Sequence, residues 1–228
     1  MEFAPTYLRD EKGLVIFPRD TALRGSLFVP ESSEHPAKAN LFLVQEIYRA
    51  LTVPGQRVCD PFAGTGSILM AAREGRAVLC LELSDYFSAI IKRNIGKLGL
   101  TEGWGAGQAM VLTGDCRELL PIPGMVDCFC FSPPYSALAK GSQILEKEYK
   151  GGEEYMAGEK NMGTLNPFIF NQEMGKLYRK MWDSLKPGGT VACIIKDRIR
   201  GDLVEQQAMH NARLMSVAGF QPLDWWRW

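Results

Sequence analysis

Short apolar runs that alternate with segments of helical periodicity constrain the fold of this chain more than any other feature. Strands joined by helical crossovers lie parallel in one sheet, and the helices cover it. The predicted strands are Arg57–Asp60, Ala77–Leu83, Met110–Gly114, Val126–Phe131 and Thr190–Ile195. The predicted helices are Ala39–Leu51, Ser67–Glu74, Tyr86–Leu98, Gln172–Leu185 and Val204–Ala218. The sequence therefore predicts an α/β protein with a mostly parallel sheet.

The chain length of 228 residues suits one α/β domain, so residues 1–228 are expected to share one core. Residues 1–34 precede the predicted elements as an N-terminal segment. The regular spacing of apolar residues is absent over residues 136–171, a polar stretch that contains several glycines. A loop of that length inside a compact domain is normally functional or disordered. We predict a long substrate or recognition loop there.

The charges of the chain balance, with 26 Lys and Arg against 26 Asp and Glu. The net charge therefore gives no long-range electrostatic attraction of the protein to nucleic acid or to an acidic membrane. Contact with a polyanion would be local, and residues 176–200 carry seven basic against two acidic side chains. No apolar run is long enough to span a bilayer, and the first residues lack a signal-peptide pattern. We predict a cytoplasmic protein with no membrane partner.

The six cysteines show neither a CxxC pair nor zinc-knuckle spacing. Only His35 and His210 are available to join them as metal ligands. Five cysteines fall inside or at the ends of predicted strands, and Cys116 directly follows one. The pattern predicts buried, reduced thiols and no metal site.

A glycine turn follows the first predicted strand. Asp60 ends the strand, and Gly64 and Gly66 lead into the next helix. This order places backbone N–H groups and a helix N-terminus at the carboxyl edge of the sheet, where ligands of open α/β sheets bind. Leu69 occupies the position of the third glycine of the dinucleotide fingerprint, so a dehydrogenase is disfavoured.

Two more acids come at the ends of the next two predicted strands. Glu82 is placed where a carboxylate accepts both hydroxyls of a ribose. Asp115 is suited to accept a hydrogen bond from the exocyclic amine of adenine. Three acids at successive strand ends, without a Walker lysine, favour a cationic adenosine ligand over a triphosphate.

The fourth predicted strand leads into Ser132, Pro133, Pro134 and Tyr135. The two prolines fix φ, which holds the carbonyl of Pro133 rigidly. An exocyclic base amine is a weak nucleophile because its lone pair is delocalised into the ring. A serine oxygen and a fixed carbonyl that accept both amino hydrogens would favour a pyramidal nitrogen and its attack on an electrophilic methyl group. Tyr135 would stack on a base swung out of its helix.

These motifs together resemble the S-adenosylmethionine-dependent amino-methyltransferases of DNA. The resemblance rests on residues 60–66, Glu82, Asp115 and residues 132–135, and it extends to the sequence HPAK at residues 35–38 and LKPGG at residues 185–189. It implies a Rossmann-like class I methyltransferase fold with a mostly parallel sheet and helices on both faces.

The cofactor-binding residues that the resemblance implies are Asp60, Phe62, Gly64, Gly66, Glu82 and Asp115. Asp60 and the two glycines would hold the methionine part of S-adenosylmethionine, Glu82 the ribose and Asp115 the adenine. The catalytic residues implied are Ser132, Pro133, Pro134 and Tyr135, which would hold a base of DNA. Serine at the first of these positions resembles the cytosine-N4 branch, because the adenine-N6 branch more often carries Asp or Asn.

The chain departs from this family in two ways. Members of this family usually have a separate target-recognition domain. Apart from the N-terminal segment and the 136–171 loop, the sequence has no segment that could form one of usual size. The chain stops at residues 224–228, inside the expected sixth strand, so the last antiparallel strand is expected to be absent. A missing C-terminal segment and a small enzyme completed by a partner subunit both stay open.

Other functions stay open as well. They are methylation of adenine N6 in DNA, of an RNA base amine or of a protein glutamine amide, whose nitrogens are similarly planar. An inactive cofactor-binding partner subunit is the alternative that involves no catalysis.

Overall fold

The computed structural model describes residues 3–35, 38–134, 160–200 and 203–228. The strands of its main sheet are β1 (Arg57–Asp60), β2 (Ala77–Glu82), β3 (Thr101–Glu102), β4 (Gln108–Thr113), β5 (Val126–Phe131) and β6 (Leu185–Cys193). They lie in the order β3-β4-β2-β1-β5-β6, and the pairings between them are parallel. The five predicted strands are present, although β6 begins at Leu185 and not at the predicted Thr190. The two-residue edge strand β3 was not predicted.

The helices are α1 (Thr21–Leu27), α2 (Leu41–Leu51), α3 (Leu69–Arg73), α4 (Asp85–Lys97), α5 (Cys116–Leu119), α6 (Pro167–Ser184) and α7 (Gln207–Ala218). Short 3-10 turns occur at Pro30–Ser33 and Met162–Thr164. No helix in the described ranges is long and apolar enough to cross a membrane.

Helix α6 begins earlier than the sequence predicted, so the end of the predicted 136–171 loop is wrong. The side chain of Asn166 accepts a hydrogen bond from the N–H of Ile169, and Pro167 is the first helical residue. Both features favour a helix start, because the cap satisfies a free N–H and proline lacks one. Residues 167–171 therefore belong to the helix and not to the loop.

The helices cover both faces of the sheet, as the resemblance implied. Val58 and Val78 face one apolar cluster, which includes residues of α2, α3 and α4. Cys59 and Leu79 face a second cluster, which includes residues of α5, α6 and α7. Adjacent strand residues point to opposite faces, so strands buried on both sides read as continuous apolar runs. The cysteines are free thiols. The prediction that they are buried is confirmed for five of them, whereas Cys193 is half-buried.

The chain after β6 does not continue the main sheet. Strands β7 (Arg198–Arg200) and β8 (Leu203–Glu205) pair with each other as an antiparallel hairpin, so α7 begins at Gln207 and not at Val204. The expectation that residues 224–228 lie in a sixth strand is wrong. The ring of Trp226 instead stacks on Phe3 with centroids 4.2 Å apart. Among the described residues, the main sheet contains no antiparallel strand.

Candidate active site

The turn between β1 and α3 adopts backbone conformations that favour glycine. The φ angle is +57° at Gly64 and +84° at Gly66. A Cβ atom on Gly66 would lie 2.9 Å from Cδ1 of Leu69, and one on Gly64 would lie 3.2 Å from Nε2 of His35. Because positive φ strains other residues, both glycines are needed for the shape of this turn.

Glu82 links the end of β2 to the glycine turn through a hydrogen bond. Its Oε2 atom accepts a hydrogen bond from the N–H of Gly64 at 2.8 Å, and Oε1 accepts one from the N–H of Ser84 at 2.9 Å. The residue is 4% exposed, and this burial raises the pKa of Glu82 to about 7. The predicted ribose acceptor is therefore a buried, positioned carboxylate at the sheet edge.

Asp60 is a second buried carboxylate at the same edge. Its Oδ1 atom accepts a hydrogen bond from the N–H of Phe62 at 2.9 Å. Burial, helped by the nearby charge of Glu82, raises the pKa of Asp60 to about 7. In the part of the chain that the structure describes, neither acid forms an ion pair with lysine or arginine. Two buried acids without a cation fit a positively charged ligand such as S-adenosylmethionine.

Asp115 follows β4 and caps α5. The N–H of Gly114 donates to the main-chain oxygen of Glu82 at 2.8 Å, which brings Asp115 to the end of the neighbouring strand. The Asp115 carboxylate accepts hydrogen bonds from the backbone and guanidinium N–H groups of Arg117. Burial raises the pKa of Asp115, but the hydrogen bonds and charge of Arg117 outweigh that effect and lower it below its ordinary value. Among the described residues, Asp115 has a cationic partner and Asp60 has none.

The predicted catalytic turn follows β5, which pairs with β1. The N–H of Ile194 donates to the main-chain oxygen of Phe131 at 2.8 Å, which holds the last strand residue before the turn. Pro133 is buried, and Ser132 and Pro134 are half-buried. The three residues are therefore partly enclosed rather than fully exposed at the sheet edge.

The structure places the predicted site residues that it describes at the carboxyl ends of neighbouring strands. They lie at the ends of four neighbouring strands in the order Asp115, Glu82, Asp60 and Ser132–Pro134. Phe62 connects the last two ends, because its ring lies 5.8 Å from the ring of Phe131. Tyr135 and residues 136–159 of the predicted loop lie outside the described residues.

Sequence reasoning missed Asn94, which joins the N-terminal segment to the glycine turn. This residue of α4 is fully buried. Its Oδ1 atom accepts from the N–H of Val29 at 2.8 Å, and its Nδ2 donates to Ser32 Oγ at 2.8 Å and to the Thr65 carbonyl at 2.9 Å. The signal available in the sequence was an amide on the apolar face of a predicted helix.

Arg24 makes a second connection that the sequence did not reveal. Its Nη1 donates to Ser67 Oγ at 3.0 Å, and its Nη2 donates to Asp20 at 2.8 Å and to the Ala39 carbonyl at 2.7 Å. Arg24 is 8% exposed. The N-terminal segment therefore supports the glycine turn at two points and is part of the site.

Replacing Asn94 with alanine is expected to destabilise the protein by about 2–3 kcal/mol, because the N–H of Val29 and the buried carbonyl of Thr65 lose their partner. Thermal or urea unfolding measures this change. Ser88→Ala is the matched control, since Ser88 is buried on the same helix and its Oγ has no hydrogen-bond partner among the described residues. Equal stability of the two variants would contradict the role assigned to Asn94.

Four basic side chains of the segment at residues 176–200 have partners within the protein. Its partnered residues are Lys176 with Glu173, Arg179 with Asp183, Lys186 with Asp127, and Lys180 with the carbonyl of Arg117. Lys186 also lies at the amino-terminal end of β6, whereas the candidate site lies at the carboxyl ends of the strands. These four basic side chains are therefore engaged within the protein.

Comparison with known proteins supports the fold and the cofactor. Residues 18–93, about a third of the chain, match the family model N6_N4_Mtase, described as DNA methylase. This range contains the glycine turn, Asp60 and Glu82, and it includes the part of the N-terminal segment that supports the turn. The comparison with curated proteins gives no match.

Three solved structures resemble the chain. TrmN from Thermus thermophilus is 21% identical, with a TM-score of 0.51 over 72% of this chain and 40% of its own. Precorrin 8W decarboxylase from Methanobacterium thermoautotrophicum is 17% identical, with a TM-score of 0.55 over 90% of this chain and 82% of its own. The [4+2]-cyclase SpnF is 18% identical, with a TM-score of 0.52 over 81% of this chain and 59% of its own.

The chain thus spans less than half the length of TrmN but most of the length of the decarboxylase. These likenesses, together with the strand order, establish the Rossmann-like methyltransferase fold. The names of the decarboxylase and the cyclase show that proteins of similar fold are assigned different chemistry, so function has to be argued from the site.

Proposed function

We propose that this protein is an S-adenosylmethionine-dependent methyltransferase that methylates an exocyclic base amine of DNA, with cytosine N4 as the favoured acceptor. The observation that carries the proposal is the convergence of three acidic strand ends and the Ser132–Pro134 turn at one edge of a parallel sheet. The match to the DNA methylase model supports the cofactor-binding part. Ser132 at the first position of the turn supports cytosine over adenine.

The residues of the first three strand ends would hold the cofactor. S-adenosylmethionine, when bound, supplies a methyl group made electrophilic by its sulfonium. The buried carboxylate of Asp60 would bind the positively charged methionine part, beside the N–H groups of the glycine turn. Glu82, already aligned by Gly64 and Ser84, would accept the ribose hydroxyls. Asp115 would accept the amine of the adenine.

The turn after β5 would hold the acceptor base. Ser132 Oγ and the Pro133 carbonyl accept the two amino hydrogens and thereby localise the nitrogen lone pair. With its lone pair localised, the amine nitrogen would be positioned to attack the electrophilic methyl group that the cofactor supplies. Its extra proton would pass to water after the attack, so no strong base is required in this turn.

A transfer experiment with three substrates tests the proposal. The protein is incubated with methyl-labelled cofactor and DNA, RNA or protein in parallel, and the products are digested and identified by mass. N4-methylcytosine from DNA is the expected product. N6-methyladenine would change only the choice of base, whereas label confined to RNA or protein would overturn the DNA assignment. Cofactor binding without transfer to any substrate would favour the inactive partner subunit.

Tyr135 is expected to stack on the acceptor base. Replacing it with alanine should weaken DNA binding by about 1–3 kcal/mol, because one base–aromatic stack is lost. Binding is measured by titration with DNA that the wild type methylates, and Tyr135→Phe, which keeps the ring, is the control. Unchanged DNA affinity of Tyr135→Ala would count against the stacking role.

A further inference from the structure

Three aromatic rings make consecutive contacts next to the candidate site. The ring centroid of Phe131 lies 5.8 Å from that of Phe62 and 6.4 Å from that of Tyr178. Phe131 is the last residue of β5, Phe62 belongs to the glycine turn after β1, and Tyr178 lies on α6. The contacts therefore join the glycine turn, the strand that leads into the Ser132–Pro134 turn, and a covering helix.

Phe131 is held through both its main chain and its side chain. Its carbonyl accepts the hydrogen bond from the N–H of Ile194, and the residue lies opposite Cys193 in the pairing of β5 with β6. Its side chain is 1% exposed and belongs to the apolar cluster shared with α5, α6 and α7. Because protein interiors are close-packed, a buried ring of this size does not shift without moving its neighbours. The position of Phe131 therefore fixes where the next residue, Ser132, begins the turn.

Tyr178 supports the ring of Phe131 from α6. It is fully buried, and its hydroxyl donates to the side-chain oxygen of Asn211 on α7. The side-chain amide of Asn211 donates in turn to the carbonyl of Gln207 at 2.9 Å. Breaking the Tyr178 bond would leave a buried polar group without this partner, which is costly. The Tyr178 ring is thus fixed in its contact with Phe131.

Methyl transfer requires the reacting atoms to approach to about 3–3.5 Å with aligned orbitals. Under the proposed function the glycine turn holds the cofactor and the Ser132–Pro134 turn holds the base, so the separation of the two turns sets this approach. The ring of Phe131 contacts the first turn, and its main chain leads directly into the second. We propose that Phe131 is a positioning residue that sets the separation between the cofactor and the acceptor base, with Tyr178 as its support. The inference rests on the proposed function.

Phe131→Leu tests the inference, because leucine stays apolar but removes the ring that contacts Phe62. The matched control is Phe129→Leu, since Phe129 is fully buried two residues earlier on β5, in the same apolar cluster. Both variants should lose similar stability in urea unfolding, because each substitution leaves a cavity of similar size. The two variants therefore separate a loss of packing from a loss of positioning.

Single-turnover methylation at saturating DNA and cofactor is expected to fall about thirtyfold in Phe131→Leu and less than about threefold in Phe129→Leu, because misplaced reacting atoms slow the chemical step. The affinities of both variants for S-adenosylhomocysteine and DNA should stay within about threefold of the wild type. The loss in Phe131→Leu should therefore appear in the rate of the chemical step and not in binding.

Two further variants test the contacts on either side of Phe131. Tyr178→Leu should lower the single-turnover rate about tenfold, whereas Tyr178→Phe, which keeps the ring, should restore most of it. Phe62→Leu removes the ring contact from a half-buried position. At saturating cofactor its rate should also fall about tenfold, and combining it with Phe131→Leu should add little, because both substitutions remove the same contact. If Phe131→Leu does not fold, Phe62→Leu decides the outcome.

The results that contradict the inference are distinct from those that contradict the proposed function. Equal rate losses in Phe131→Leu and Phe129→Leu, or a loss in Phe131→Leu that weaker cofactor binding accounts for, would overturn the positioning role and leave the proposed function standing. An unchanged rate in Phe62→Leu would do the same. Absence of methyl transfer by the wild type to any substrate would overturn the proposed function and the inference with it.

Discussion

Ser132→Ala is expected to lower the methylation rate about a hundredfold or more while S-adenosylhomocysteine binding stays unchanged. The substitution removes one of the two acceptors that would localise the amine lone pair. Loss of one preorganised polar group at a reacting centre costs about 2.7–4 kcal/mol of barrier, by analogy with oxyanion-hole deletions. Single-turnover kinetics with saturating DNA and cofactor measures the chemical step directly.

The control for this experiment is Ser26→Ala, which removes a serine hydroxyl that bonds the carbonyl of Leu23 within α1. Its rate should equal that of the wild type. Near-normal turnover of Ser132→Ala on every DNA tested would contradict the proposed mechanism. Loss of turnover together with loss of cofactor binding would mean that Ser132 supports the cofactor site rather than the acceptor amine.

Asp60→Asn is expected to stabilise the protein without ligand at pH 8 and to weaken cofactor binding at the same pH. The asparagine keeps an oxygen for the N–H of Phe62, and it removes a charge that is buried without a cation among the described residues. Relief of that charge should raise the free energy of unfolding by about 1–2 kcal/mol. Loss of the charge contact should lower affinity for S-adenosylhomocysteine about tenfold or more.

The pH dependence of these effects follows from the direction of the pKa shift. Burial raises the pKa of Asp60 from 3.8 to about 7, so the folded protein binds this proton more tightly than the unfolded chain. The contribution of Asp60 therefore makes the wild type less stable as pH rises from about 4 to about 7, and constant above that range. Cofactor affinity should change in the opposite sense, because the ionised carboxylate is the form that binds a cation.

Urea unfolding and calorimetry between pH 5 and pH 8 measure the two trends. Binding near pH 7 should release protons from the wild type, and Asp60→Asn should release fewer, as titrations in buffers of different ionisation enthalpy reveal. Asp183→Asn is the control because it removes a half-exposed carboxylate that pairs with Arg179. Equal pH profiles for Asp60→Asn and the wild type would remove Asp60 from the cofactor site.

The main sheet was predictable because its strands are buried on both faces and therefore read as apolar runs. Strands β1 and β5 have the predicted ends, since an acid or a Ser-Pro-Pro turn stops each run. The predicted helix boundaries were wrong where a capping residue or a strand pairing sets the start of the helix. Asn166 and Pro167 start α6 early, and pairing within the hairpin at residues 198–205 delays α7.

The sequence by itself determined which residues lie at the ends of the strands. Parallel strands share one carboxyl edge, so residues that follow separate strands had to meet there. Asp60, Glu82, Asp115 and Ser132 were identifiable for that reason, without knowledge of any contact between distant segments.

Only the tertiary structure decided how these groups are supported and charged. Asn94 meets Val29 and Thr65, and Arg117 meets Glu173, across separations in sequence that no local pattern records. The same three-dimensional arrangement leaves Asp60 buried without a cationic partner among the described residues, while Asp115 has Arg117. Local propensity and periodicity report a residue's neighbours along the chain, whereas ionisation depends on burial and on charges brought close by folding.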